Sequence, residues 1–166
     1  MDNYSKKLQG RISKSRGQMF EDIINTACQH YALKGAALIS KSNEPMRPLS
    51  RPNSKGQFLA CFVKKSGADY VGVRAGGQFI ALEAKHTDSD RMSRNVISPE
   101  QEKQLDCYMA LGAECFVMVS FGFREFFKVP WATFRAMKEH YGRKYITPED
   151  VQEYKVKYIG GVLHFL

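Results

Sequence analysis

Residues 69–85 read Asp69-Tyr-Val-Gly-Val-Arg-Ala-Gly-Gly-Gln-Phe-Ile-Ala-Leu-Glu83-Ala-Lys85. Two apolar stretches flank Gly76-Gly77, a pattern that predicts a β-hairpin. An acid begins the first strand, and a Glu-x-Lys sequence ends the second. Two carboxylates held together can bind Mg²⁺ or Mn²⁺, while a nearby lysine can orient or deprotonate water and neutralise charge on a phosphate under attack. The stretch can therefore build a metal-dependent phosphodiesterase site.

The length of the hairpin turn decides whether the two acids meet. Strand alternation places Glu83 and Lys85 on one face of the second strand, and the opposite face, which carries Ile80, is expected to be the core face. A two-residue turn would put the two acids on opposite faces of the sheet. A three-residue turn, Ala75-Gly76-Gly77, would put Asp69 opposite Glu83. We predict the three-residue turn or a bulge.

Length and charge limit the classes of protein that fit. The 166 residues, 43% of them hydrophobic, suffice for one compact core, so we expect a single domain over residues 1–166. The net charge of +8 favours a polyanionic partner such as nucleic acid, with an anionic membrane surface as the rival. No apolar run has the length of a spanning helix, and the amino terminus lacks the apolar core of a signal peptide. We therefore expect a cytoplasmic protein that does not bind a membrane.

The cysteines indicate neither a zinc site nor a disulfide framework. Cys28, Cys61, Cys107 and Cys115 show no CxxC or Cys/His spacing. Each lies in an apolar segment, which is typical of buried free thiols. No small-molecule cofactor is expected either.

Positive charge is concentrated in two segments. Residues 1–20 carry five basic residues against one acid, and residues 41–65 carry six against one. We expect residues 1–14 to be a basic, mobile amino-terminal segment. Prolines interrupt the second segment, and its length is unusual for a hairpin loop, which favours a projecting arm over residues 44–57 that contacts DNA phosphates. The alternative is that these charges are simply solvated.

The expected order of elements is that of an α/β fold with a mixed, largely antiparallel sheet. Apolar residues at helical spacing predict a first helix over residues 15–34. Glu21 lies at the border of its apolar stripe, from which the carboxylate can point toward the sheet, or it is an ordinary first-turn acid. Strands are predicted at 36–41, 57–64, 115–120 and 125–129, a helix at 131–141, a short capped turn or helix at 147–149, and an edge strand in 158–166.

Residues 86–95 are expected to be polar and mobile, and a strong helix start follows them. Ser98 can cap, Pro99 suits the first helical position, and Gln101 completes a capping box. Gly112 is the expected stop.

The Asp…Glu-x-Lys pattern is weakly specific when taken alone. A second Glu-x-Lys occurs at Glu153-Tyr154-Lys155, among alternating charges, where a solvated surface is the better explanation. The first one ends a hydrophobic strand beside a strand that carries an acid. That context favours a nuclease-type site.

Beyond these patterns, an ordered series of residues resembles the RecU Holliday junction resolvases, which belong to the PD-(D/E)xK nuclease superfamily. The series is Arg16-Gly17, Phe20-Glu21, Asn25, Lys41, Pro45, Lys65-Ser66-Gly-Ala-Asp69-Tyr70-Val-Gly72, Glu83-Ala84-Lys85, Gln101 and Gly112-Ala-Glu-Cys-Phe116. The resemblance covers the chain from about Arg16 onward. It implies a restriction-endonuclease-like fold with a central mixed sheet flanked by helices and a projecting basic stalk. It also implies a homodimeric, Mg²⁺- or Mn²⁺-dependent enzyme that nicks four-way DNA junctions symmetrically in recombination and repair.

The resemblance also implies residue roles. Asp69 and Glu83 would bind the metal, Lys85 would assist the nucleophilic water, and Glu21 and Gln101 would complete the site. The arm around residues 45–64 would be the stalk that reaches into the junction centre. The expected DNA contacts are Arg16, Arg47, Arg51, Lys55, Lys64 and Lys65, and a recombinase is a further expected partner.

The chain departs from the family pattern at two places near the site. Glu100-Gln101 stands where the family commonly has His-Gln, and Gly67-Ala68 stands where hydroxyl-bearing residues precede the aspartate. Both departures bear on metal affinity and on the hydrogen bonds around the metal ligands.

Three classes of function fit the sequence to different extents. A junction-resolving endonuclease accounts for the acids, the lysine, the basic arm and the resemblance. Another PD-(D/E)xK endonuclease accounts for all but the resemblance, and a non-catalytic DNA-binding or recombination-regulating protein accounts only for the charge. Catalysis would require Glu83, whereas binding by phosphate contact alone would survive its loss and fall steeply with salt.

Overall fold

The chain forms a long first helix, a central group of strands and several short elements toward its carboxyl terminus. The structure, a computed structural model, describes residues 3–43, 45–63 and 67–166. The helices are Asn3–Leu33 (α1), Pro99–Ala110 (α2), Trp131–Arg135 (α3) and Met137–Tyr141 (α4), with 3₁₀ turns at Arg94–Val96 and Glu149–Tyr154. The strands are Ala37–Lys41 (β1), Met46–Pro48 (β2), Ala60–Phe62 (β3), Tyr70–Arg74 (β4), Phe79–Thr87 (β5), Met92–Ser93 (β6), Glu114–Phe121 (β7), Glu125–Pro130 (β8), Tyr145–Ile146 (β9), Lys157–Ile159 (β10) and Val162–His164 (β11).

A five-stranded mixed sheet in the order β1-β4-β5-β7-β8 forms the centre of the fold. Strands β5 and β7 are parallel, and the other neighbouring pairs are antiparallel. Helix α2 connects the two parallel strands, since such a pair needs a crossover rather than a tight turn. The predicted α/β class with a mixed, largely antiparallel sheet is confirmed.

Both faces of the sheet are buried. Helix α1 and the carboxyl-terminal residues cover one face, where Ile80 and Leu82 pack with Phe20 and Phe165. Helices α2 and α3 cover the other face, where Ala81 belongs to a second core. The Ile80 side is a core face as predicted, but the opposite face is buried as well, because β5 is a central strand between two layers of helices.

The hairpin β4–β5 has the three-residue turn that brings the two acids together. Tyr70 pairs with Leu82, and the Arg74 N–H donates to the Gln78 oxygen at 2.8 Å. Gly76 and Gly77 in the turn have φ of +93° and +88°, a region that glycine enters without steric cost. The same register, continued by one pair, sets Asp69 level with Glu83, so the predicted turn is confirmed.

Helix α1 begins at Asn3, twelve residues before the predicted start at residue 15. Its second half buries Phe20, Ile24 and Tyr31 against the sheet, whereas residues 4–15 are exposed wherever their burial is described. The expected start at residue 15 is wrong, because a stripe of buried residues marks only the packed part of a helix. Residues 3–14 contain good helix formers and no proline, so the helix continues through them.

The helix predicted at 131–141 is two short helices. Ala136 separates α3 from α4 with φ −92° and ψ 23°, outside the helical region. The tail forms its own two-stranded hairpin, β10–β11, rather than an edge strand of the main sheet. It lies over α1, where the Tyr31 hydroxyl accepts hydrogen bonds from the N–H groups of Phe165 and Leu166 at 2.7 and 3.1 Å.

Several smaller expectations also change. Residues 86–95 include the end of β5, strand β6 and the start of a 3₁₀ turn rather than an irregular loop. The turn predicted at 147–149 leads into the 3₁₀ turn Glu149–Tyr154. Cys28 and Cys115 are buried free thiols as expected, but Cys107 is exposed because it lies on the outer face of α2.

The basic arm predicted at 44–57 contributes strand β2 and most of the loop of a separate two-stranded hairpin, while Glu44 lies outside the described residues. Strands β2 and β3 pair Met46 with Phe62 and Pro48 with Ala60, and we call residues 46–62 the basic hairpin. Met46 and Phe62 are 60% and 64% exposed, so its strands do not bury their side chains as the central sheet does. Strand β3 is shorter than the predicted 57–64.

Candidate active site

Lys85 holds the two predicted metal-binding acids together. Its Nζ donates to Glu83 Oε2 at 2.7 Å and to Asp69 Oδ2 at 3.1 Å. Alternation along β5 puts Glu83 and Lys85 on the same face, and the hairpin register brings Asp69 beside them. The side chain of Glu83 is fully buried, whereas those of Asp69 and Lys85 keep about a fifth of their surface exposed. We call Asp69, Glu83 and Lys85 the acid–lysine cluster.

Main-chain groups fix the orientation of both carboxylates. The Asp69 N–H donates to Glu83 Oε1 at 3.2 Å, and the Ala84 N–H donates to Asp69 Oδ2 at 3.0 Å. Each acid is therefore bound to the backbone of the other strand. Such contacts restrict the rotamers of the acids before any ligand arrives.

Gln101 joins the acid–lysine cluster from the first turn of α2. Its Nε2 donates to Glu83 Oε2 at 2.6 Å and approaches Asp69 Oδ1 at 3.4 Å. Its Oε1 accepts from the Ser98 N–H, and its own N–H donates to Ser98 Oγ. The predicted capping box is thus present, and the same side chain that caps the helix also reaches the acids.

Burial dominates the electrostatics of the cluster. It raises the pKa of Glu83 from 4.5 to about 9, an effect that Lys85 opposes and that Asp69 reinforces. Burial alone would lower the pKa of Lys85, but the two carboxylates outweigh it and the pKa is raised. Glu83 in the metal-free protein therefore lacks enough positive charge nearby to favour its ionised form.

The donor set fits a hard divalent cation. Asp69 and Glu83 offer carboxylate oxygens close to one another, which suits Mg²⁺ or Mn²⁺. Among the residues that the structure describes, no group of three or more Asp, Glu, His or Cys side chains is placed to hold a metal ion. A cation here would bind through these two side chains and complete its shell with water or phosphate oxygens, as Mg²⁺ usually does.

Glu21 lies beside the acid–lysine cluster rather than within its network of hydrogen bonds. Its carboxylate pairs with Lys41 Nζ at 2.5 Å. Glu21 and Asp69 line the same cleft, of about 650 Å³, which also reaches Met46 and Phe62 of the basic hairpin. The cleft therefore lies between the predicted catalytic residues and the predicted DNA-contacting hairpin.

Positive side chains line this cleft at positions that were not among the predicted contacts. Lys14 of α1 and Lys41 of β1 both contribute to its wall. The sequence offers only indirect signs that these two lysines reach the cleft. Lys41 ends a strand, and Lys14 lies two turns before Glu21 on the same helix. Lys41 belongs to the ordered series that resembles the RecU family, whereas Lys14 carries no motif.

The predicted DNA-contacting residues lie in different settings. Arg16 forms an ion pair with Asp88, just beyond the end of β5. Arg47, Arg51 and Lys55 are exposed on the basic hairpin. Lys64 and Lys65 lie outside the described residues.

The sheet defines a protein of the restriction-endonuclease-like fold, and the acid, acid and lysine at its central hairpin match the pattern expected of the PD-(D/E)xK superfamily. The fold is similar to that of Hjc from Archaeoglobus fulgidus, which is described as a Holliday junction resolvase from an archaeal hyperthermophile. The TM-score is 0.50 at 13% sequence identity, over 82% of this chain and 92% of that one. This likeness confirms the predicted fold.

The sequence model of the family Recombination protein U (RecU) matches residues 15–166, and the chain belongs to this family. A relative from Streptococcus gordonii, named Holliday junction resolvase RecU, is 30% identical over 112 residues. That match covers 64% of this chain and 56% of the relative, so the chain spans little more than half of the relative's length. The resemblance inferred from the ordered residues is confirmed.

Proposed function

We propose that this protein is a metal-dependent endonuclease that resolves four-way DNA junctions by paired symmetric nicks. The observation that carries the proposal is the contact of Lys85 Nζ with both Asp69 and Glu83. Membership of the RecU family and the activity named for the S. gordonii relative support the choice of substrate. The role would lie in recombination and repair.

The proposed chemistry is hydrolysis of a phosphodiester bond. Asp69 and Glu83 would hold Mg²⁺ or Mn²⁺, which supplies positive charge to the scissile phosphate. Lys85, which stays protonated because the two carboxylates raise its pKa, would orient a water molecule and neutralise the charge that builds up on the phosphate as the oxygen attacks phosphorus. The proton of that water would pass to bulk solvent. The bond to the leaving oxygen breaks, and that oxygen takes up a proton. Gln101 would hold the two carboxylates in place.

Glu21 has a separate proposed role at the mouth of the site. Its pairing with Lys41 and its place in the cleft suit a residue that orders water or a phosphate next to the acid–lysine cluster. This position distinguishes it from Asp69 and Glu83, which contact Lys85 directly.

The basic hairpin is the proposed reader of junction shape. Arg47, Arg51 and Lys55 lie exposed on a hairpin whose base lines the same cleft as Asp69. Phosphate contacts made there would position the DNA strands over the cleft. Arg16, together with Lys64 and Lys65, would extend the positive surface.

A homodimer is part of the proposal. Two symmetric nicks need two active sites, which a two-fold dimer supplies. Residues 1–166 would act as one nuclease domain in the cytoplasm, with a recombinase as a further partner. Among the described residues, no helix combines the length and the apolar character needed to cross a membrane.

The test is strand cleavage of a mobile four-way junction and a matched linear duplex, in Mg²⁺, Mn²⁺ or EDTA. Wild type is compared with Glu83→Ala, and with Glu153→Ala as a matched control from the second Glu-x-Lys, where Glu153 is exposed. Paired nicks on the junction that need both metal and Glu83 are the expected result.

Other outcomes would replace the proposal. Equal cleavage of both substrates would make the protein a general endonuclease. Tight binding without cleavage would make it a non-catalytic DNA-binding protein. An equal loss in Glu83→Ala and Glu153→Ala would show that the effect does not arise at the acid–lysine cluster.

A further inference from the structure

We propose that Gln104 is a positioning residue for the metal ligand Asp69, and that Gly67 is glycine in order to admit it. The inference rests on the proposed metal-dependent function. It assigns the support of Asp69 to a side chain that acts through the backbone rather than on the substrate.

Gln104 binds the main chain immediately before Asp69. Its Oε1 accepts the N–H of Ala68 at 2.8 Å. The next N–H, that of Asp69, donates to Glu83 Oε1 at 3.2 Å. Two successive peptide groups are therefore held by side chains from two different elements, α2 and β5. Gln104 and Glu83 therefore fix the backbone at Ala68 and Asp69 from two sides.

Helix α2 supports Asp69 twice, with residues one turn apart. Gln101 approaches the Asp69 carboxylate at 3.4 Å, and Gln104 holds the preceding peptide. Positions i and i+3 lie on the same side of a helix, so both amides face β4 together. A small shift of α2 would move both contacts at once.

The amide of Gln104 is itself oriented. Its Nε2 donates to the Tyr108 hydroxyl at 3.0 Å, one further turn along α2. The Tyr108 ring contacts Phe79 of β5, with ring centroids 5.0 Å apart. This contact directs Nε2 toward Tyr108 and leaves Oε1 as the end that meets the Ala68 N–H.

Gly67 leaves the space that the Gln104 amide occupies. A Cβ atom built at residue 67 would overlap Gln104 Oε1 and crowd the rest of its amide. Any larger residue would push the amide away from the Ala68 N–H. The family commonly has hydroxyl-bearing residues where this chain has Gly67-Ala68. In this chain the Gln104 amide occupies the space beside Gly67 and supports the backbone that leads to the aspartate.

The first test measures Mn²⁺ binding by isothermal titration calorimetry, which does not depend on activity. Gln104→Met keeps the length of the side chain but removes the acceptor, and we expect the Kd for Mn²⁺ to rise about tenfold, as with other residues that support metal ligands. Gln104→Glu keeps an acceptor for the Ala68 N–H and should remain closer to wild type. Gln152→Met is the control, since the Gln152 amide is exposed and donates to the Pro148 oxygen, away from the acid–lysine cluster.

The second test is a double-mutant cycle with Gly67→Ala. Alone, this change should weaken Mn²⁺ binding about as much as Gln104→Ala, because both break the same contact. In the Gln104→Ala background it should add almost nothing, since the space is then free. Gly10→Ala is the control, because a Cβ built there meets no described atom within 4 Å beyond its chain neighbours and the nearby backbone of its own helix.

Junction cleavage provides a third readout in which kcat and KM separate. Misplacement of a metal ligand should lower kcat about tenfold in Gln104→Met and leave KM nearly unchanged. A fall in Tm with unchanged Mn²⁺ affinity and kcat would reduce Gln104 to a structural role and overturn the inference. If the losses of Mn²⁺ affinity in Gly67→Ala and Gln104→Ala multiply in the double mutant, the two residues do not act through the same contact.

The failure of the proposed function can be told apart from the failure of this inference. If wild type binds Mn²⁺ but cleaves no junction, the proposed function fails and the calorimetric comparison still decides the role of Gln104. If wild type binds no Mn²⁺, the inference fails as well, because Asp69 is then not a metal ligand.

Discussion

The two hairpins that border the cleft differ in how they are held. Hairpin β4–β5 has a neighbouring strand on each side, β1 and β7, and its acids are bound by backbone N–H groups, Lys85 and Gln101. Among the described residues, the two strands of the basic hairpin form a separate two-stranded sheet, and its apolar side chains Met46 and Phe62 are largely exposed. The proposed catalytic groups thus lie on the constrained hairpin, and the proposed substrate contacts lie on the free one. Residues that must hold a metal ion in a fixed geometry need a rigid element, whereas residues that must adapt to the shape of a DNA junction need a mobile one.

Lys85→Met should have the largest effect, because it acts on the constrained hairpin. Cleavage should fall at least about 100-fold through the loss of a group that stabilises charge in the transition state, while junction binding is retained. Lys155→Met is the matched control, since Lys155 pairs with Glu125 on the surface at 2.7 Å. The measurement is single-turnover cleavage with binding in EDTA alongside it. Normal cleavage by Lys85→Met would remove the catalytic role of the constrained hairpin.

The stability of the metal-free protein should depend on pH through the same hairpin. The folded-state pKa of Glu83 is raised from 4.5 to about 9, so the folded protein retains a proton that the unfolded chain gives up. The stabilising contribution is full below pH 4.5 and is lost as the pH rises toward about 9. Thermal unfolding in EDTA should show Tm falling over this window in wild type and much less in Glu83→Gln. Mn²⁺ should restore stability in wild type because it favours the ionised carboxylate.

The same pH series also tests whether the two hairpins are independent of one another. Arg47→Ala, on the basic hairpin, should leave the shape of the pH curve unchanged. A changed shape would mean that the two hairpins are coupled in the free protein.

The triple variant Arg47→Ala/Arg51→Ala/Lys55→Ala should weaken junction binding about tenfold and linear-duplex binding less. Each lost phosphate contact should also reduce the slope of log affinity against log salt by about one. Fluorescence anisotropy at several salt concentrations measures both effects, and the linear duplex serves as the control. Equal weakening on the two DNAs would refute the role of the basic hairpin in reading junction shape.

Glu21→Gln should have the smallest effect, a fall of about three- to tenfold in kcat, because Glu21 lies at the cleft and its carboxylate pairs with Lys41. The readouts are kcat and the Kd for Mn²⁺, and the latter should change little. A loss as large as that of Lys85→Met would show that Glu21 enters the acid–lysine cluster when substrate binds. The separation of Glu21 from the acid–lysine cluster would then hold only in the protein without substrate.

The parts of the site that the sequence predicts are those set by local rules. Strand alternation and a Gly76-Gly77 turn leave few registers, so the meeting of Asp69 with Glu83 follows from residues close in sequence. Ser98, Pro99 and Gln101 predict the start of α2 in the same way.

The parts that could not be predicted depend on contacts between distant elements. No periodicity shows that Gln104 lies against Ala68, because that depends on how α2 docks on the sheet. The pairing of Glu21 with Lys41 likewise joins a helix to a strand. The break at Ala136 escapes prediction because the sequence there has no proline or glycine to mark it.

The parallel pairing of β5 with β7 has a consequence for the synthesis of the chain. Residues 80–87 align with residues 114–121, so the strand that carries both Glu83 and Lys85 gains one of its neighbours only after the crossover through α2 is complete. Pairings this distant in sequence form slowly during folding, and translation delivers the acids well before α2 and β7. A nascent chain that has not yet exposed β7 outside the ribosome therefore lacks the strand that pairs with β5 beside Glu83 and Lys85, and its proposed catalytic centre is incomplete. If the proposed function holds, the topology delays DNA cleavage until the domain is folded.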